Sequence, residues 1–208
     1  MRLWTLQAPE VVEALRSTGS HRADWDLVTP NWRPAFADMV GEMRRRGIDC
    51  AAAPPIWCWR GRARQRRAVR STANLLLGYH EWAHGRWLIK LNVPDNQILA
   101  TSYSAWNDYL GFRGGYDTEL VEGPHRMDWT PRCQSRWDEL QYAIPELRTD
   151  WVVRARQYPP DADTMAQIMA DPYCREIFQR RQEDGPDLVP HSESPARPSD
   201  SVRAVRRR

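Results

Sequence analysis

The sequence predicts an α+β domain over residues 1–183, followed by a disordered tail over residues 184–208, and three observations predict it. Short runs rich in apolar and aromatic residues, at 3–7, 55–59, 87–93 and 97–101, read as strands. Segments of helical apolar spacing, bounded by Pro and Gly, lie among them. From Asp184 onward aromatic residues vanish and Pro186, Pro190, Pro195 and Pro198 fall among Ser, Glu, Asp and Arg, a composition that cannot bury enough apolar surface to fold. With 208 residues the chain has room for one core and hardly for two.

Each element has a local reason. Residues 3–7 alternate as a first strand, and Pro9 then stands in the first turn of a helix whose Val11, Val12, Ala14 and Leu15 recur near helical spacing. Gly19 fits just past its end, where a left-handed residue is needed. A second helix starts near Asn31 as N-cap, with Pro34 in its first turn and Phe36, Met39, Val40 and Met43 as its apolar stripe. Arg44, Arg45 and Arg46 complement its dipole, and Gly47 ends it. Pro55-Ile56-Trp57-Cys58-Trp59 is an aromatic strand. Residues 87–93 form another, Pro94-Asp95-Asn96 a turn, 97–101 a further extended segment, and 104–110 a helix. Residues 111–131 read as a long surface loop and 134–140 as a short helix. Residues 141–147 and 151–157 are two late strands; Pro145 makes the first an edge or bulged strand. Residues 165–181 read as one helix.

Composition narrows the function classes. No apolar run approaches the roughly 20 residues of a membrane helix. The N-terminus has no apolar stretch of the signal-peptide kind, so a cytoplasmic protein is expected. The four cysteines, Cys50, Cys58, Cys133 and Cys174, are then expected as reduced thiols, and none lies in a C-x-x-C pair. The net charge of +3 is too slight to imply strong nucleic-acid binding by the whole chain. Arginine is nevertheless concentrated locally, at Arg60, Arg62, Arg64, Arg66, Arg67 and Arg70. That run is either a solvated face or a contact to phosphate, in a pyrophosphate cofactor or a nucleic acid. The 11 tryptophans pack the core, line an aromatic pocket, or do both.

His80-Glu81-Trp82-Ala83-His84 spells H-E-x-x-H, which on a helix places two histidines on one face for zinc, with the glutamate as general base. Gly78 and Gly85 flank it and a strand follows at Trp87, so the motif is expected not to hold catalytic zinc, and no metal ligands are assigned.

Met1-Arg2-Leu3-Trp4-Thr5-Leu6-Gln7, Pro55 through Trp59, Leu88 through Leu99 with its central Asn92-Val93-Pro94-Asp95, Trp137 through Leu140, and a late motif over Leu140 through Arg148 resemble an uncharacterised bacterial family opening Met-(Lys/Arg)-Leu-Trp-Thr-Ile-Gln. The likeness covers most of residues 1–158 and names no activity. More distantly, the order of a first strand, a helix ended by glycine, and a late strand opening on Glu146 resembles the ADP-ribosyltransferase fold, with small mixed or antiparallel sheets flanked by helices. Thr5 stands where that fold carries His or Arg. The resemblance implies an NAD-consuming transferase of ADP-ribose to an acceptor left open: protein, nucleic acid or small molecule. It implies Glu146 and Gln141 as catalytic residues, and Trp4, Thr5, Trp57 and Trp59 around the dinucleotide. Cleaving a nicotinamide–ribose bond develops an oxocarbenium-like cation, which a carboxylate beside the ribose offsets while an aromatic wall stacks the nicotinamide. Two other classes stay open, a zinc hydrolase through His80, Glu81 and His84, and a non-enzymatic binding module on the same fold.

A chain truncated after Glu183 is expected to keep the melting temperature of the full chain, measured by circular dichroism; a large drop would mean that the tail docks.

Overall fold

Three consecutive residues, Leu3, Trp4 and Thr5, are buried in strand β1 (Arg2–Gln7). Neighbouring side chains in a strand point to opposite faces, so both faces of β1 must be covered. The computed structural model describes residues 1–61, 66–115, 126–136 and 138–183, and in it β1 is an inner strand. It pairs with β3 (Ile56–Arg60) on one side and β4 (Trp87–Asn92) on the other. Beyond β3 lie β6 (Leu140–Ile144) and β5 (Leu99–Ser102); beyond β4 lies β8 (Val152–Gln157). The order is β5-β6-β3-β1-β4-β8, with every neighbouring pair antiparallel. A small ribbon pairs β2 (Ser20–His21) with β7 (Leu147–Arg148).

One face of the sheet, carrying Leu3, Cys58, Ile89, Leu91 and Ile144, is closed by α1 (Pro9–Thr18) through Val11, Val12 and Leu15. Proline begins α1, and Gly19, at φ 79°, ends it by donating its N–H to the Leu15 carbonyl, as expected from the sequence. The opposite face is covered in two parts. Over its β5–β6–β3 end pack α2 (Arg33–Arg45) and α5 (Tyr103–Arg113), bringing Phe36, Met39, Trp106 and Tyr109 against Leu99 and Ala143. Over its β1–β4 end lie α3 (Arg66–Leu76), α4 (Tyr79–Ala83), α6 (Ala162–Ala170) and α7 (Pro172–Glu183), which surround Trp4 and Leu88 with Val69, Ala73, Trp82 and Ile168. The result is an α+β fold with an antiparallel sheet, and no helix among the described residues is long and apolar enough to cross a membrane.

Four expectations need correction. Residues 134–136, 138 and 139 are not helical, because the Asp138 carboxylate draws this stretch into a turn. It accepts from the Gln134 N–H at 2.7 Å, the Ser104 N–H at 2.9 Å and the Ser102 hydroxyl at 2.6 Å. Burial opposes ionisation of Asp138, but these donors outweigh it and hold its carboxyl below the usual range. Pro145 does not make β6 an edge strand: β6 is paired on both sides, and the proline stands just past its last residue. The 165–181 helix is two helices, because Asp171 ends α6 and its carboxylate caps α7 through the Tyr173 and Cys174 N–H groups, with Pro172 at the break. Asn31 is no N-cap but lies in the 3₁₀ turn Pro30–Trp32 ahead of α2. The tail at 184–208, the domain boundary drawn there, and positions 116–125 of the expected loop lie outside the described residues.

Ile89 is fully buried at the middle of β4, so Ile89→Ala should lower unfolding free energy by about 2–5 kcal/mol in urea titrations. Val153→Ala, at a side chain 64% exposed on edge strand β8, should change it by less than about 0.5 kcal/mol.

Candidate functional site

Register alone aligns one row of side chains across the helix-covered face that holds Trp4. Trp4 lies opposite Trp59, Trp59 opposite Gln141 and Gln141 opposite Thr101; on the other side Trp4 lies opposite Lys90, and Lys90 opposite Arg154. The Trp4 and Trp59 rings stack with centroids 5.2 Å apart and planes inclined by 26°. Such a pair contributes about 0.5–1.5 kcal/mol beyond the area it buries. Gln141 and Thr101 are buried, and the Gln141 amide donates to the Thr101 hydroxyl at 3.3 Å.

From Trp4 outward the row turns cationic and opens into a groove of about 860 Å³. Arg2, Lys90, Arg154 and Arg156 enter it from the strands and Arg70 from α3, over a floor that includes Trp4, Leu88 and Tyr158. No aspartate or glutamate is among the described lining residues. Arg2, Lys90, Arg154 and Arg156 make no ion pair with any described carboxylate. Arg70 is fixed: it donates to the Pro159 carbonyl at 3.0 Å and its guanidinium lies 4.9 Å from the Tyr158 ring centroid. Arg156 lies over the same ring at 5.2 Å. Arg154 and Arg156 leave one face of β8 two residues apart, roughly 6.7 Å between Cα atoms. Their like charges repel, the more weakly where solvent and salt screen them. An anion between them removes that repulsion. Trp4 is 5% exposed, and its buried indole N–H, like that of Trp82, has no hydrogen-bond partner among the described residues.

A second depression, between α2 and α5, shows the contrasting case. Its Tyr109 hydroxyl donates to Asp38 at 2.6 Å, and Arg113 donates to the same oxygen at 3.0 Å. Burial and that carboxylate push Tyr109 up to about 12. Its polar groups already satisfy one another.

The residues singled out in the sequence divide among these places. Trp4, Trp59 and Gln141 share the row. Trp57 is on the same face but packs into the other cluster, 5.3 Å from Trp106 and 6.0 Å from Phe36 between centroids. Thr5 points to the α1 face, where its hydroxyl donates to the Trp57 carbonyl at 2.8 Å and accepts from the Gln7 amide at 2.7 Å. Glu146 lies beyond the end of β6, past Ile144, which is itself three residues and about 10 Å along the strand from Gln141. Its carboxylate is 15% exposed and pairs with Arg22 at 3.0 Å and Arg148 at 3.7 Å, beside the β2–β7 ribbon. Arg60, opposite Leu3, leaves β3 on the face away from Trp59. Arg62 and Arg64 lie outside the described residues, as do the side chains of Arg66 and Arg67 on α3, so the arginine run meets the groove through Arg70. The H-E-x-x-H stretch forms α4, a helix of 5 residues that ends before His84. His80 Nδ1 is 3.2 Å from the Cys174 sulfur, whereas His84 lies near Glu10.

Lys90, Arg154, Arg156 and Arg2 were not found from sequence. Two signals pointed at them: Lys90 is the lone charge in the apolar strand Trp-Leu-Ile-Lys-Leu-Asn, and Arg154 and Arg156 have the two-residue spacing of a strand face. Comparison of the chain with protein-family models, curated proteins and solved structures gives no match.

Proposed function

We propose that the chain is a binding module for a phosphate-bearing nucleotide, held in the cationic groove between β1, β4, β8 and α3. The observation that carries this reading is the convergence of five cationic side chains with no carboxylate in the described lining. Gathering like charges along one groove is unfavourable unless an anion offsets them, and guanidinium groups match phosphate oxygens in pairs. The groove's volume falls within the roughly 300–1,000 Å³ of small-molecule sites. The exposed Lys90 and Arg154 steer a polyphosphate, while the half-buried Arg70 and Arg156, both set against Tyr158, are preorganised to receive it.

ADP-ribosyl transfer from NAD is the second reading, supported by the resemblance to the ADP-ribosyltransferase fold and by the row that joins Gln141 to Trp4, Trp59 and Lys90. In it NAD is the nucleotide, its pyrophosphate meets the cations, and Glu146 must reach the ribose from its place between Arg22 and Arg148. The acceptor stays open between protein, nucleic acid and small molecule.

Calorimetric titration of the full chain with NAD, ADP and inorganic pyrophosphate at low ionic strength tests both readings. At least one should bind, more weakly as salt is raised. The Lys90→Ala, Arg154→Ala double variant should lose at least tenfold in affinity at an unchanged melting temperature, given about 1.5–3 kcal/mol per charged hydrogen bond. Binding by none of the three, or full affinity in the double variant, overturns the module reading. Transfer further requires nicotinamide release that falls about 10²-fold or more in Glu146→Gln with binding retained. Binding without release leaves the module alone.

A further inference from the structure

We propose that His80, Asp171 and Cys174 bind one divalent cation of the zinc class at the junction of α4 with α6 and α7. The site is independent of the cationic groove and differs from the H-E-x-x-H arrangement, since neither Glu81 nor His84 belongs to it. A nitrogen, an oxygen and a sulfur converge here, each within 4.8 Å of the other two. The His80 Nδ1 to Cys174 Sγ distance is 3.2 Å. In a tetrahedral zinc site, with Zn–S of about 2.3 Å and Zn–N of about 2.05 Å, that edge is about 3.5 Å. A rotation of the exposed His80 ring supplies the few tenths of an ångström.

The surroundings orient two of the three ligands. Asp171 Oδ1 accepts the backbone N–H groups of Tyr173 and Cys174, which pins the carboxylate at the start of α7. Its Oδ2 is left toward the cluster and accepts the Tyr79 hydroxyl at 3.4 Å, the kind of outer hydrogen bond that fixes a ligating carboxylate. Cys174 stands in the first turn of α7, where burial and the Asp171 carboxylate push its thiol up until a cation takes the place of the proton. Its residue is 1% exposed, so a substrate cannot reach the sulfur, which argues against a nucleophilic Cys–His pair. A cation arriving past His80, which is exposed, can reach it. Sulfur and imidazole nitrogen select zinc-like ions over magnesium or calcium. On binding, the metal–sulfur bond replaces the S–H bond and the proton goes to solvent, with no change of oxidation state. Thiolate, carboxylate and neutral imidazole then balance the 2+ charge, and three protein ligands leave a fourth position for water.

The test is titration of the metal-stripped full chain with Co²⁺, read by absorption, with zinc competition as the second measurement. One cobalt per chain should bring a thiolate-to-cobalt charge-transfer band in the near ultraviolet, and zinc should abolish it. Cys174→Ser should remove the band, His80→Ala should weaken cobalt binding by more than about tenfold, and Cys133→Ser, at the exposed cysteine, should change nothing. Since His80 is exposed, its variant decides the matter should Cys174→Ser fail to fold. Absence of the band at stoichiometric cobalt, or its full retention in His80→Ala, overturns the proposal.

Discussion

Burial of β1 on both faces is the constraint on which the other elements depend. Leu3 and Thr5 look toward α1, Trp4 and Leu6 toward α3, α4, α6 and α7. With both faces covered, β1 also has both edges paired, along its length with β4 and at its start with β3. The Thr5 hydroxyl ties β1 to β3 at the Trp57 carbonyl, and Trp4 stacks on Trp59 across the same pair. These contacts fix the register from which the row Gln141–Trp59–Trp4–Lys90–Arg154 follows. A slip by one residue would send the Trp4 ring to the α1 face and Thr5 into the groove floor.

The sequence was most legible where punctuation and periodicity agree. Pro9 and Gly19 bracket α1, and Phe36, Met39 and Met43 mark the buried stripe of α2. It was misread where one side chain overrides a local pattern. Asp138 gathers three donors from Gln134, Ser102 and Ser104, two of which lie more than thirty residues away, and so replaces a short helix by a turn. Pro172 was absorbed into one long helix, although Asp171 can end one helix and begin another in two residues.

The candidate site was less legible than the fold, for a topological reason. Arg2, Arg70, Lys90, Arg154 and Arg156 are scattered over most of the chain, and only antiparallel pairing of β1, β4 and β8, with α3 laid over their face, gathers them. The conspicuous arginine run drew attention instead, yet among its described side chains only Arg70 lines the groove. Local concentration in sequence is a poor guide to charge density on a sheet, where residues two apart share a face and pairing partners come from distant segments. What sets the groove apart is a described lining without a carboxylate. The Asp38–Tyr109–Arg113 group and the Glu146–Arg22–Arg148 group pair cations with carboxylates, whereas Arg2, Lys90, Arg154 and Arg156 make no ion pair with a described carboxylate.

Trp4 lies in the groove floor, which makes its indole signal the most direct reporter of the central claim, that an anion belongs in the groove. In a nitrogen–proton correlation spectrum of the full chain titrated with pyrophosphate, the Trp4 indole signal should move and saturate. The indole signal of Trp106, buried in the cluster under α2 and α5, should stay in place. An unmoved Trp4 signal, or equal shifts at Trp4 and Trp106, would contradict the account.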